Sequence, residues 1–537
     1  MLSPINLLSV FPSGRIILAA VWATTAMLAG TAHAGARDLD ATFSGDGRQL
    51  VDIGALDQAA AIALAPHGKI VVAGTRLAPA RPSRDIAVVR LRRDGSLDKS
   101  FSGDGIQTTN ISENDLAYGV AVGRDGRIVV VGESWELGTV LVRYATDGSL
   151  DPSFGTGGVQ TAGFGPARDV AIQPDGRIVM AGGASAFAIA RFNADGSPDL
   201  GFGAAGLSTA GAALNGGATS VALQPDGRIV AAGANMTGAG RGDLDIALIR
   251  LSANGSADMS FAGDGTLTAG QPGIDESAND LAIQRDGRIV AAGQVGLDGF
   301  GLFRWRRDGV PDATFAGDGS QTTNVSAGSD VARGVALQPG GQIVAVGGGK
   351  GFTLARFQSG GSLDTGFSED GKLTMALNGG YNVAAGVAIA PDCKIVVAGE
   401  AGGDFAVARL KSACPAGYEP SGGTPEIVGP ARTRLYGSRV QRLGRSVRVS
   451  ASCHEDPCRV TVSGTIRMAS LRLKAVSRTI ARKGSRATIA LRLGTAARAA
   501  IRRALRADRR VTVKLRVSFV QPGAKPRSLR RNVRLTL

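Results

Sequence analysis

The stretch Val221-Ala222-Leu223-Gln224-Pro225-Asp226-Gly227-Arg228-Ile229-Val230-Ala231-Ala232-Gly233 sets two short apolar runs on either side of a Pro-Asp-Gly turn. Proline presets one turn dihedral and glycine accepts a positive φ, so the stretch reads as strand, turn, strand. The runs are too short for helices and rich in Val, Ile and Ala, as buried strands are.

The same phrase recurs along the chain. Asp-Gly-Arg-Ile-Val stands at 125–129, 175–179, 226–230 and 286–290, with variants at 67–71, 340–344 and 392–396. Each copy continues into a third run such as Ala188-Ile189-Ala190-Arg191-Phe192, a polar turn at 193–196, then Asp199, Phe202, a Gly-rich turn and a fourth run. Four short antiparallel strands in each of seven units is the pattern of a seven-bladed β-propeller, in which stacking blades buries both faces of every sheet. The seventh unit ends at Arg409-Leu410-Lys411 without the Leu-Asp-x-x-Phe segment. That segment stands instead at 39–43, so the N-terminal strand is expected to complete the last blade and close the ring.

The units resemble the delta-60 repeat family of bacterial secreted proteins, over about residues 38–414. The resemblance implies a propeller-like array and an extracellular setting, and no particular activity.

The rest of the 537-residue chain divides by composition. Arg15, the apolar run 16–30 and Thr31-Ala32-His33-Ala34 read as a signal peptide over 1–34, cut after Ala34. The expected domains are then the propeller at 35–414, a Pro/Gly linker at 415–431 and a basic β-sandwich at 432–537. From Ser421 onward there are 28 Lys and Arg against 4 Asp and Glu, whereas residues 1–420 hold 32 against 41. Alternating apolar and basic residues, as in Val511-Thr512-Val513-Lys514-Leu515-Arg516-Val517, suggest an Ig-like sandwich of about seven strands. An Ala-rich segment from Thr495 to Asp508 is expected to form one short helix. The sandwich looks like C-terminal domains of secreted actinobacterial proteins. With Arg at 50 and Lys at 10, part of this basicity is attributable to a high-GC composition.

Three residues repeat once per unit. Arginines stand at Arg90, Arg143, Arg191, Arg250, Arg304, Arg356 and Arg409; aspartates at Asp40, Asp98, Asp151, Asp199, Asp258, Asp312 and Asp364; phenylalanines three positions after each aspartate, at 43, 101, 154, 202, 261, 315 and 367. One reading is a ring of arginines binding an anion on the axis. The other is an Arg–Asp pair locking each outer hairpin, with Phe filling the gap between blades. Seven equal copies favour the structural reading, because a ligand site usually breaks symmetry. The turn Asn193–Asp199 alternates oxygen ligands as a calcium loop does, but its counterparts at 92–94 and 358–360 lack the first or the third oxygen, so turn chemistry is the simpler account.

Four cysteines in an exported chain suggest two disulfides. Cys393 and Cys414 replace turn glycines of the last unit and are expected to bridge the two hairpin tips. Cys453 and Cys458 bracket a tight turn and form the second candidate pair. No nucleophile elbow, P-loop or zincin motif is present, and no cofactor, metal or catalytic residue is assigned. Trp135 and Trp305 read as packing or as sugar platforms.

The reading that follows is an exported, non-catalytic binding or scaffold protein, monomeric and without a membrane span after cleavage. It is expected to be secreted and to associate with the cell envelope through an anionic polymer or a surface protein. Nucleic acid is disfavoured by export and by the scarcity of aromatics. The competing reading is a secreted carbohydrate-active enzyme using carboxylates on the propeller face.

Overall fold

A computed structural model describes residues 37–78, 83–208, 210–237, 243–296, 299–326, 328, 330–415 and, as backbone strands, parts of 433–536. The proposed signal peptide, most of the linker and the expected helix at 495–508 lie outside the described residues, as do the side chains of Cys453 and Cys458.

Residues 48–410 form seven four-stranded antiparallel sheets. The first comprises Asp57–Leu64, Ile70–Leu77, Arg84–Leu91 and Ile106–Thr109, and its successors begin at Asp115, Ala167, Ala218, Glu276, Val331 and Asn382. These are numbered blades 1 to 7. Two of the sheets touch through the single pair Gly348↔Val383, which joins blade 6 to blade 7. Blade 7 has only three strands of its own. Arg48–Val51 supplies the fourth by pairing antiparallel with Asp404–Leu410. The N-terminal strand therefore completes the last blade, as the displaced Leu-Asp-x-x-Phe segment predicts.

First strands of successive blades contact one another all the way round, and that of blade 1 touches those of both blade 2 and blade 7. They line the axis, and this corrects one expectation. The apolar runs were expected to be buried on both faces. The second and third strands are, but the first strands are only half-buried, Asp57–Leu64 among them, because one side faces the axial space. Each first strand carries one bulged residue, Ala60, Tyr118, Arg168, Thr219, Asn279, Arg333 and Ala385 in turn, where the register with the second strand slips by one. The core is correspondingly divided into clusters shared between neighbouring blades. One joins Val72 and Val89 of blade 1 to Val396 and Phe405 of blade 7.

Among the described residues after 432, eight strands form two sheets. Thr433–Tyr436, Ser446–Cys453 and Arg486–Arg492 make a three-stranded sheet. A five-stranded sheet runs Val440–Arg442, Arg527–Thr536, Val511–Val520, Cys458–Ile466, Leu471–Ile480. Among the described residues no helix is long and apolar enough to cross a membrane.

Candidate functional site

The repeated Arg, Asp and Phe come together in every blade. Arginine Nε lies 2.7–2.9 Å from aspartate Oδ2 in Arg90–Asp98, Arg143–Asp151, Arg191–Asp199, Arg250–Asp258, Arg304–Asp312, Arg356–Asp364 and Arg409–Asp40. Each guanidinium also lies 4.5–4.8 Å over the ring of its own blade's phenylalanine. Nη1 then reaches the following blade. That of Arg90 donates to the Thr146 carbonyl at 2.6 Å, and those of Arg143, Arg191, Arg250 and Arg304 donate to Ala194, Ala253, Arg307 and Ser359. Arg409 of blade 7 donates to Arg93 of blade 1. The arginines sit on third strands, away from the axis, with Nε of all seven on an aspartate and Nη1 of six on a carbonyl of the next blade. This is the structural arrangement, not an axial anion ring.

A further partner, given no role from the sequence, comes from the residue that follows the first hairpin turn. In six blades the basic residue after the first hairpin turn forms a second ion pair with the same aspartate: Lys69–Asp98, Arg127–Asp151, Arg177–Asp199, Arg228–Asp258, Arg288–Asp312 and Lys394–Asp40. The turn carboxylates themselves serve the backbone. Asp195 Oδ1 accepts from the N–H and hydroxyl of Ser197, an Asx turn. His67 is an exposed turn residue at φ 66°. Trp305 is buried and stacks on Phe303 at 6.0 Å, whereas Trp135 is 67 % exposed.

The sevenfold pattern fails at one place. Blade 6 carries Gln342 where its sisters carry the second cation, and Arg356 Nη1 finds no backbone carbonyl in blade 7, only the Ser412 hydroxyl at 3.4 Å. The reason is that the chain leaves blade 7 along Lys411–Cys414 instead of completing a turn. Cys393 and Cys414 are disulfide-bonded there as expected, with Cα atoms 5.2 Å apart, but Cys414 lies on the departing segment and not at a second hairpin tip. A cleft of about 540 Å³ opens between Gln338, Gln342, Arg356, Ser368, Lys394, Lys411, Ser412 and Asp38. Its size is that of a small-ligand pocket. Gln338 Nε2 donates to Ser412 Oγ at 2.8 Å and to the Cys393 carbonyl at 3.1 Å, which fixes the cleft wall.

Symmetry also fails on the axis. The first residue after each bulge is Ala61, Gly119, Asp169, Ser220, Asp280, Gly334 and Gly386. A Cβ at Gly119 would lie 2.9 Å from the Cα of Asp169, so there the neighbouring strands pack backbone to backbone. Across blades 3 to 5, side chains bridge instead. Asp169 Oδ2 accepts from Val221 N–H at 2.8 Å, Ser220 Oγ from Leu281 N–H at 3.2 Å, and Asp280 Oδ2 from Val335 N–H at 2.7 Å. The Ser220 hydroxyl lies 3.1 Å from Asp169 and 3.0 Å from Asp280, and its one proton can serve only one of them. The trio is satisfied when the carboxyl pair holds a proton. Burial pushes Asp280 up to about 7, with the neighbouring Asp169 charge adding to it, and burial raises Asp169 too.

The closed ring of antiparallel blades defines a repeat β-propeller protein. Five of its units match the family model described as a domain of unknown function (DUF5122) beta-propeller, at residues 66–101, 123–154, 173–202, 224–261 and 338–367. Among solved structures, the chain is similar to a fungal alcohol oxidase of the AA5 family in complex with copper, at 12 % identity and a TM-score of 0.35, over 91 % of this chain and 98 % of that one. It is also similar to the Dos1 propeller, at 12 % identity and a TM-score of 0.39, over 68 % of this chain and 95 % of that one. Likeness at this depth carries nothing about copper, oxidation or ligand. No curated protein matches the chain.

Proposed function

We propose that this is an exported, non-catalytic binding or scaffold protein. The propeller presents a polar cleft to a glycan or protein ligand, and the C-terminal region, read as an Ig-like sandwich, tethers it to an anionic envelope polymer. The observation that carries the reading is the cleft at the end of blade 6. Here the amides of Gln338 and Gln342 and the hydroxyls of Ser368 and Ser412 line an opening beside Lys411 and beside Arg356 and Lys394, which keep their clamp aspartates, and Arg356 Nη1 meets only the Ser412 hydroxyl. The strong basic excess after Ser421 supports the tether.

The test is binding of the mature protein to isolated cell envelopes across a salt series, beside a form truncated at Pro420 and a Gln338→Ala variant. Truncation is expected to abolish the salt-sensitive part of binding, and Gln338→Ala to weaken what remains. Binding unchanged in both forms would overturn the proposal.

One observation favours a second reading, a carbohydrate-active enzyme. Asp169 and Asp280 share one hydroxyl and hold a proton near neutrality, the charge state that a general acid/base pair needs. Against it, both carboxylates already accept backbone N–H groups. Turnover on a polysaccharide panel that disappears in folded Asp280→Asn protein would establish the enzyme.

A further inference from the structure

The ring is sealed where blade 7 hands over to blade 1, and the chain makes that passage through residues 52–56. Asp57 opens the first strand of blade 1, is fully buried, and donates its N–H to the Gly403 carbonyl of blade 7 at 2.7 Å. Its Oδ2 accepts from the N–H groups of Ile53 and Gly54 at 2.6 and 3.0 Å. Its Oδ1 is buried and has no hydrogen-bond partner.

The sister blades show what is missing. Asp115 in blade 2 makes the same two backbone bonds through Oδ2, and its Oδ1 accepts from the Ser112 hydroxyl at 3.1 Å. Asp330 in blade 6 has Ser326 in that role at 2.6 Å. Asn382 in blade 7 uses its carbonyl for the loop and donates its amide to the Asn378 and Gly380 carbonyls. In blade 1 the residue at the Ser112 position is Gly54, where a Cβ would come within 2.6 Å of the Leu77 carbonyl. No hydroxyl can be supplied from there.

Two more carboxylates approach instead. Asp52 follows the closing strand, Asp404 opens the third strand of blade 7, and ligand oxygens of Asp52, Asp57 and Asp404 all lie within 4.8 Å of one another. Among the described residues no ion pair involves any of the three. Burial raises the Asp57 carboxyl, and the charges of Asp52 and Asp404 raise it further. Oxygens bound to one Ca²⁺ at about 2.3–2.6 Å lie at most about 5 Å apart, so this spacing suits a shared hard cation. Mg²⁺ demands a tighter octahedron and retains its water, which favours calcium over it.

We propose that Asp52, Asp57 and Asp404 bind a calcium ion that ties the closing strand of blade 7 to the first strand of blade 1. The ion would satisfy the orphaned Asp57 oxygen and neutralise the cluster, holding the seam by a means that the loops at Asp115, Asp330 and Asn382 do not need. This goes beyond the ligand reading and does not depend on it.

The test uses the full chain, stripped with a chelator and titrated with calcium chloride while thermal unfolding is followed. Calcium is expected to raise Tm by a few degrees, with half the effect at about 10⁻⁴ to 10⁻³ M, and magnesium to do much less. Asp404→Asn, on the half-exposed rim, is expected to weaken the apparent affinity at least tenfold. Asp57→Asn should do the same while keeping its loop bonds, since Asn382 performs that role in blade 7. Equal Tm in calcium and chelator would overturn the proposal. So would an undiminished calcium shift in Asp404→Asn, which would place the ion elsewhere.

Discussion

Arg409 and Asp40 stand 369 positions apart in the chain and 2.7 Å apart in space, Nε to Oδ2. The corresponding pairs in the other blades are 8 positions apart. The same clamp thus serves as a local lock in six blades and as the ring closure in the seventh. Asp40→Ala would leave both Arg409 and Lys394 without their carboxylate. A loss of about 3–5 kcal/mol is expected, as for other broken buried pairs. Asp199→Ala, which strands Arg191, should cost a similar amount in one internal blade. Urea unfolding midpoints of the two variants would check this, and an unchanged midpoint in either would remove the clamp from the account of stability.

The clamps predict acid sensitivity. Burial alone would raise the Asp258 carboxyl, but the Ser260 hydroxyl and N–H, together with Arg250 and Arg228, outweigh it and hold the group down to about 2. Asp40 and Asp98 are held lower still. A carboxyl lowered in the folded state contributes stability above its unfolded value of about 3.9, and that contribution disappears as pH falls through the folded value. Stability should therefore decline steeply between about pH 4 and pH 2. Asp258→Asn should start lower at pH 6 and decline less on acidification. Parallel pH profiles for the variant and the parent would count against the clamp as the cause.

Much of this was legible before the structure. The Arg, Asp and Phe of the clamp repeat at fixed spacing, so seven copies of one physical requirement expose it. Cys393 and Cys414 stood out because each replaces a glycine that the other units retain. The second cation was equally repeated, but Arg228 follows a turn, and turn-flanking basic residues ordinarily face solvent. The axial trio was not legible, because its position holds Asp only in blades 3 and 5 and Ser only in blade 4. They also lie behind bulges that break the alternation by which inward residues are recognised. Asp52, Asp57 and Asp404 were still less so, since only closure of the ring brings a residue near 400 beside residues near 50.

The axial pair predicts the opposite pH trend to the clamps. Asp280 is pushed up to about 7, chiefly by burial and then by Asp169. A carboxyl raised in the folded state binds more proton there than in the unfolded chain between its two values, so stability falls as pH rises from about 4 to about 7. Asp280→Asn, which cannot ionise, should flatten the profile in that window. Chemical denaturation at pH 5 and pH 8 would measure it, and an unaltered slope would place the shared proton outside the Asp169–Ser220–Asp280 trio.

Cys393 has a φ of 67° at a hairpin position where Gly126, Gly176, Gly227, Gly287 and Gly341 have φ of 85–91°. A non-glycine residue in this left-handed region is strained by about 1–2 kcal/mol. The disulfide to Cys414, across a separation of 21 residues, offsets that cost by restricting the unfolded chain, by about 3 kcal/mol. Two double variants separate the contributions. Cys393→Ser with Cys414→Ser loses the bridge and keeps the strain, so it should be destabilised by about 3 kcal/mol. Cys393→Gly with Cys414→Ser loses both and should recover about 1 kcal/mol of that deficit. The same pair probes the cleft, because the bridge holds Ser412 where it meets Gln338. If both variants fold yet bind envelopes as the parent does, the cleft wall does not form the binding site. If binding falls in both alike, whatever their difference in stability, the bridge acts by positioning Ser412 rather than by strengthening the fold.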